Sequence, residues 1–201
     1  MDAFWVFGYG SLMWQPGFAC CHAQPCRLFG YHRRLCIYSR YYRGTPEHPG
    51  LVLGLARGGS CSGIAYYVEK HKAQQVYDYL IAREMHDNVY FEKRLPLHLQ
   101  DGRKVSGIAF VANPAHECYA STLSHEAVCA IVATARGATG STADYVRNTI
   151  EHLREAGMPD KRLEAFSTQC DGRLMTKAAT TPMQKAVTSG SHSGTGGSRK
   201  K

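Results

Sequence analysis

The hydrophobic period of this chain changes at Glu69. Before that point apolar residues fall in short runs bounded by glycine or proline, at 4–7, 26–31, 34–38, 50–55 and 63–68. Runs of that length, rich in aromatic and β-branched side chains, read as strands. From Glu69 onward Ala73, Val76, Tyr77, Leu80 and Glu84 recur at steps of three and four, the spacing of one helix face. Strand character returns at 89–99 and 104–112 around the Asp101-Gly102 turn. Two helices follow, one N-capped by Ser124 and one opened by the capping-box sequence Ser141-Thr142-Ala143-Asp144 and closed at Gly157. Tyr145, Val146, Thr149, Ile150 and Leu153 form the inner stripe of the second. Pro159 starts a last short helix through Leu163 and Phe166. This order predicts an α+β fold, with the sheet able to curl into a small barrel. The Gly58-Gly59-Ser60 stretch reads as a turn, and residues 43–50 (RGTPEHPG) as a rigid exposed loop.

At 201 residues the chain fits one domain, and its 20% charged and 44% hydrophobic content is ordinary for a globular body. Of the net charge of +8, five positive charges lie in residues 177–201, which hold Lys177, Lys185, Arg199, Lys200 and Lys201 and no acid. The remaining +3 on residues 1–176 does not call for nucleic acid. The Ser-, Thr- and Gly-rich stretch 177–201 has too little apolar surface to offset its chain entropy and reads as a disordered basic tail. A weak contact of that tail with RNA, DNA or an acidic membrane is the binding-module alternative. Arg40, Tyr41, Tyr42 and Arg43 form a second, short basic-aromatic patch. No apolar run is long enough to span a bilayer.

Eight cysteines at 20, 21, 26, 36, 61, 118, 129 and 170 include no Cys-x-x-Cys pair, and Met1-Asp2 opens no secretory signal. Reduced thiols in a cytoplasmic protein are the expectation. Cys21-His22 with Cys26, or His116-Glu117-Cys118, would be the places for a metal, but neither has a second pair at zinc spacing, so none is expected.

Two places carry chemistry. Gly8 and Gly10 bracket Tyr9, leaving the N–H groups of Gly10, Ser11 and Leu12 free of bulky neighbours, either as a nest for a carboxylate or phosphate or as a plain turn out of the strand. GYGSL is neither a P-loop nor a nucleophile elbow, and no His or Asp partner marks Ser11 as a nucleophile. Glu84 ends an apolar helical stripe, where desolvation and the negative helix terminus both disfavour the carboxylate. Either its pKa rises into the range of a general base, or it pairs with Arg83 or His86. Tyr145 either donates a phenolic hydrogen bond into a cleft or is an amphipathic core residue.

Three segments together resemble the ChaC-type γ-glutamylcyclotransferases in order and spacing: 6–14 (VFGYGSLMW), 39–46 with Pro49-Gly50, and Arg83-Glu84-Met85. The likeness covers roughly residues 4–155. It implies a small mixed β-barrel flanked by helices, no cofactor, and a small-molecule substrate, glutathione, cleaved to 5-oxoproline and cysteinylglycine. Other γ-glutamyl peptides or amines are the alternative substrates. By position, Tyr9, Gly10, Ser11 and Leu12 would hold the γ-glutamyl unit, Glu84 would be the catalytic base, and Tyr145 would line the site. Thr142 stands where the family often has an asparagine.

Overall fold

The computed structural model describes residues 1–85, 88–120 and 122–179. Five strands, β1 (Phe4–Gly8), β2 (His22–Ser39), β3 (Gly50–Val68), β4 (Tyr90–Leu99) and β5 (Lys104–Ala112), close a barrel in the order β1-β3-β2-β4-β5. Four of the five pairings are antiparallel. The closing pair is parallel, with Trp5 opposite Gly107 and Val6 opposite Ile108, so the sheet is mixed. The α+β class and the small barrel expected from the sequence are both present.

The strand boundaries differ from expectation in one respect. Residues 26–31 and 34–38 belong to a single strand, as do 50–55 and 63–68. Gly58 (φ +97°) and Gly59 (φ +69°) make no turn. They lie opposite Gly30 (φ +83°), between the pairs Phe29–Ser60 and Tyr31–Arg57, and form a bulge. Glycine at positive φ bends both strands without ending them, letting one long hairpin serve two parts of the barrel wall. A second register shift falls at Cys36, whose carbonyl accepts from the Ala120 N–H.

Helix α1 (Ala73–Glu84) lays Ala73, Val76 and Leu80 against Phe4, Val6, Val68, Ile108 and Phe110. The stripe read from the sequence is therefore a packing face, with Glu84 as the helix's last residue. Helix α2 (His125–Thr134) is N-capped by Ser124, whose Oγ accepts from the Ala127 N–H. A two-residue hairpin, β6 (Arg136–Gly137) and β7 (Gly140–Ser141), leads into α3 (Thr142–Glu155). The capping box is formed: Ser141 Oγ accepts from the Asp144 N–H at 3.0 Å and donates to Asp144 Oδ2 at 2.6 Å. All five residues of the α3 stripe are buried. The last helix, α4 (Lys161–Ala179), is long where a short one was expected, and it runs past residue 176. Residues 180–201, most of the stretch expected to be a disordered tail, lie outside the described residues.

The cysteine expectation needs correction. Cys129 on α2 and Cys170 on α4 form a disulfide, which the sequence could not suggest because only helix packing brings positions 41 apart together. Cys26, Cys36 and Cys61 are buried thiols, pushed up to about 12, 11 and 11 by desolvation.

Candidate active site

The residues singled out in the sequence meet at one end of the barrel. Strand β1 delivers Tyr9 and Gly10 to its C-terminal edge, and Ser11–Met13 forms a single turn of 3-10 helix closed by Met13 N–H donating to the Gly10 carbonyl. The opening N–H groups of such a turn have no partner within it. Tyr145, on the first turns of α3, stands over this turn: a Cβ on Gly10 would lie 3.2 Å from the Tyr145 hydroxyl. Any larger residue there would have to push the Tyr145 hydroxyl aside by a few tenths of an ångström.

Helix α1 carries Glu84 to the same end. Its side chain is 17% exposed, and desolvation raises its pKa above the ordinary 4.5 although the Arg83 guanidinium opposes the rise from 3.2 Å. Glu84 therefore has an ion-pair partner and is still held toward its protonated form. His86, the other partner considered, lies outside the described residues. Arg83 also fastens the end of the helix to the glycine turn, donating from Nη2 to Ser11 Oγ at 3.0 Å and from Nη1 to the Gln15 carbonyl at 2.8 Å.

Three phenols, buried Tyr9 and Tyr145 and half-buried Tyr90, feel the charge of the carboxyl. Tyr9 and Tyr90 are pushed well above the ordinary 10 and Tyr145 up to about 12, in each case mainly by burial, with the Glu84 charge adding to the rise. The Tyr145 hydroxyl accepts from the Leu53 N–H at 3.3 Å, which leaves its own proton to donate. Tyr90, which sequence reasoning did not single out, donates to the Leu53 carbonyl at 3.3 Å. Leu53 thus holds both rings.

Arg33 was also missed. Its side chain is 1% exposed and makes three contacts: Nε donates to the Tyr9 carbonyl at 2.7 Å, Nη2 to the Ser62 carbonyl at 2.8 Å, and Nη1 to Asp160 Oδ2 at 2.6 Å. It fixes the backbone where β1 enters the glycine turn. Nothing local distinguishes Arg33 from Arg34, its neighbour in the same strand.

The basic-aromatic patch at 40–43 is divided by the fold. Arg40 pairs with Glu117, whereas Arg43 turns inward, its guanidinium 5.3 Å from the Tyr145 ring centroid and Nη1 donating to the Thr139 carbonyl. Thr142 is fully buried: its hydroxyl accepts from the Leu51 N–H at 3.3 Å and donates to the Arg43 carbonyl at 3.2 Å. The threonine therefore ties the 43–50 loop to the head of α3. Among the described residues, the His, Cys and acidic side chains close enough to share a metal ion are His125, Cys129 and Cys170, away from both stretches considered in the sequence.

A mixed five-stranded barrel flanked by helices is the γ-glutamylcyclotransferase-like fold. A crystal structure of a yeast γ-glutamyl cyclotransferase specific to glutathione superposes with a TM-score of 0.77 at 22% identity, covering 86% of this chain and 97% of that one. The chain belongs to the ChaC-like protein family, whose family model matches residues 4–171. It is 35% identical over 159 residues to the glutathione-specific γ-glutamylcyclotransferase of Escherichia coli, covering 79% of this chain and 69% of that one. It is 30% identical over 171 residues to glutathione-specific γ-glutamylcyclotransferase 1 of Mus musculus, covering 82% and 77%. Arabidopsis thaliana γ-glutamylcyclotransferase 2-3 is 30% identical over 177 residues, covering 83% and 88%.

Proposed function

We propose that this protein is a glutathione-specific γ-glutamylcyclotransferase in which Glu84 is the catalytic base and residues 9–12 with Tyr145 hold the γ-glutamyl unit. The observation that carries this reading is the Glu84 carboxyl, desolvated despite its Arg83 partner and electrostatically coupled to Tyr9 and Tyr145. A γ-glutamyl group contains its own nucleophile, because its α-amine reaches its δ-carbonyl in a five-membered ring. The site must supply a base and a fixed geometry.

Glu84 takes a proton from the bound ammonium, and the freed amine adds to the δ-carbonyl to form the ring C–N bond. The oxyanion of the tetrahedral intermediate is met by N–H donors of the glycine turn and by the Tyr145 phenol. Collapse breaks the bond to the cysteinyl nitrogen, which receives the proton that Glu84 holds; the ring nitrogen gives up its second proton to become the lactam N–H, and the departing amine takes that proton up as an ammonium. The products are 5-oxoproline and cysteinylglycine. A carboxyl whose pKa is raised toward neutrality suits both halves of that transfer. Arg33, by fixing the Tyr9 carbonyl, acts as a positioning residue for the turn.

Residues 1–176 form the catalytic unit in this reading, with 177–201 as an appendage that turnover does not need. Among the described residues no helix is long and apolar enough to cross a membrane.

The reading is tested by incubating the purified protein with glutathione and a panel of γ-glutamyl dipeptides and amines, with 5-oxoproline followed by mass. Release from glutathione well ahead of the other compounds is expected. No release from any of them would end the assignment, and equal release would end the specificity. Ser11→Ala separates cyclisation from a serine-nucleophile mechanism. Among the described residues its hydroxyl accepts from Arg83, and loss of that bond should keep turnover within about tenfold of wild type. Loss of a nucleophile would instead cost on the order of a million-fold.

A further inference from the structure

The Cys129–Cys170 bond is used by neither the barrel nor the active site. The two residues are 4% and 1% exposed and join α2 to α4. His125, one turn before Cys129, places Nε2 3.6 Å from Cys129 Sγ, and its ring packs edge-on against Phe166 of α4. The three buried thiols elsewhere are pushed up by burial, with Arg34 opposing the rise at Cys36 and Arg33 at Cys61. A histidine beside one sulfur of a disulfide marks that sulfur as the one that departs as thiolate.

We propose that Cys129–Cys170 is a thiol–disulfide exchange site for low-molecular-weight thiols, and that its state decides whether α4 is held at its middle as well as at its N-terminus. The identification of glutathione as the physiological thiol rests on the function proposed above; the exchange itself does not. A thiolate attacks Cys170 Sγ, the S–S electron pair leaves on Cys129 beside His125, and a mixed disulfide forms at Cys170. A second thiolate attacks the small-molecule sulfur of that mixed disulfide and releases the Cys170 thiol. The net reaction consumes two thiols, takes up two protons on the protein sulfurs after the attacking thiols have lost theirs, and yields one small-molecule disulfide. The same disulfide, as oxidant, drives the reverse.

The N-terminal end of α4 touches the candidate catalytic apparatus. Asp160 caps the helix, accepting from the N–H groups of Arg162 and Leu163, and pairs with Arg33, which holds the Tyr9 carbonyl. In the oxidised protein α4 is therefore anchored at Asp160 and at Cys170; in the reduced protein the second anchor is lost. Because both sulfurs are buried, exchange proceeds through local opening of the α2–α4 contact and is slower than at an exposed cysteine such as Cys21.

The test uses the full chain carrying Glu84→Gln, so that glutathione is not consumed and the result does not depend on turnover. The protein is equilibrated in buffers of defined glutathione to glutathione-disulfide ratio, quenched with a maleimide, and mapped by peptide mass. Cys129 and Cys170 are expected to shift together from unlabelled to doubly labelled as the ratio rises. The melting temperature should fall by about 5–15 °C over the same range. Cys170→Ser should melt at the reduced wild-type temperature and ignore the buffer, and in the active background its cyclotransferase activity should have a shorter half-life on warming. Both cysteines labelling at every ratio, a melting temperature indifferent to the ratio, or a Cys170→Ser protein that still responds to it would each overturn the proposal. Stoichiometric zinc retained by the reduced protein would also overturn it, in favour of a metal site at His125, Cys129 and Cys170.

Discussion

Glu84→Gln is expected to lower 5-oxoproline release by about 10²- to 10⁴-fold, the range for loss of a positioned general base, while the protein still folds. The amide keeps the size of the side chain and a hydrogen-bonding oxygen for Arg83 but cannot take the ammonium proton. The same substitution makes a second, opposite prediction for stability. Burial holds the Glu84 carboxyl above its ordinary 4.5, so the folded protein binds that proton more tightly than the unfolded chain does. Stability therefore falls as pH rises from 4.5 to the raised value, and the deficit stays constant above it. Glutamine carries no such deficit. Its melting temperature should match wild type near pH 4 and exceed it at pH 8, and the acid limb of the wild-type kcat/KM profile should lie above 4.5. A Gln variant that turns over glutathione at the wild-type rate would remove Glu84 from the mechanism. One that melts lower than wild type at pH 8 would show that the carboxylate is a stabilising ion pair instead.

Arg33→Met should destabilise the protein by about 3 kcal/mol, the low end of the range for breaking a buried pair. Three acceptors lose their donor together: the Tyr9 and Ser62 carbonyls and the Asp160 carboxylate. The low end applies because Asp160, 23% exposed, keeps part of its hydration after the arginine is gone. For a chain of this length the loss corresponds to a fall of about 6–12 °C in melting temperature. Lysine should not restore the wild type, since one ammonium cannot span three acceptors set around a planar fork. With the Tyr9 carbonyl released, the glycine turn is no longer fixed, and turnover at a temperature where the variant remains folded should drop as well. A change below about 1 kcal/mol, as for an exposed ion pair, would show that Arg33 is not the anchor its burial indicates.

Much of the site was legible because its signals are local. Glycines flanking Tyr9 at the end of a strand announce a turn with open backbone, and an acid ending the apolar stripe of α1 announces a carboxyl in poor solvent. Tyr145 follows from the α3 periodicity, which also located the capping box at Ser141. Arg33 and Tyr90 were not legible, because each acts through contacts across the barrel that no spacing encodes: Arg33 reaches Tyr9 and Asp160, and Tyr90 reaches Leu53. The bulge at Gly58-Gly59 was mistaken for a turn for a related reason. Glycines at positive φ serve both, and only the glycine opposite them on the partner strand, Gly30, decides between a bend and a reversal.

Sequence alone determined the order of strands and helices, the turn at 9–12, an acid in poor solvent at the end of α1 and, through three ordered motifs, the family. These are properties of neighbours along the chain, where the periods of side-chain burial and the chemistry of single residues suffice. Tertiary structure decided that Glu84 keeps a raised pKa beside Arg83, that Arg33 locks the turn to the last helix, and that Cys129 meets Cys170. Each of those depends on how much water packing removes from a group and which distant partner it brings near, quantities that exist only once the barrel has closed.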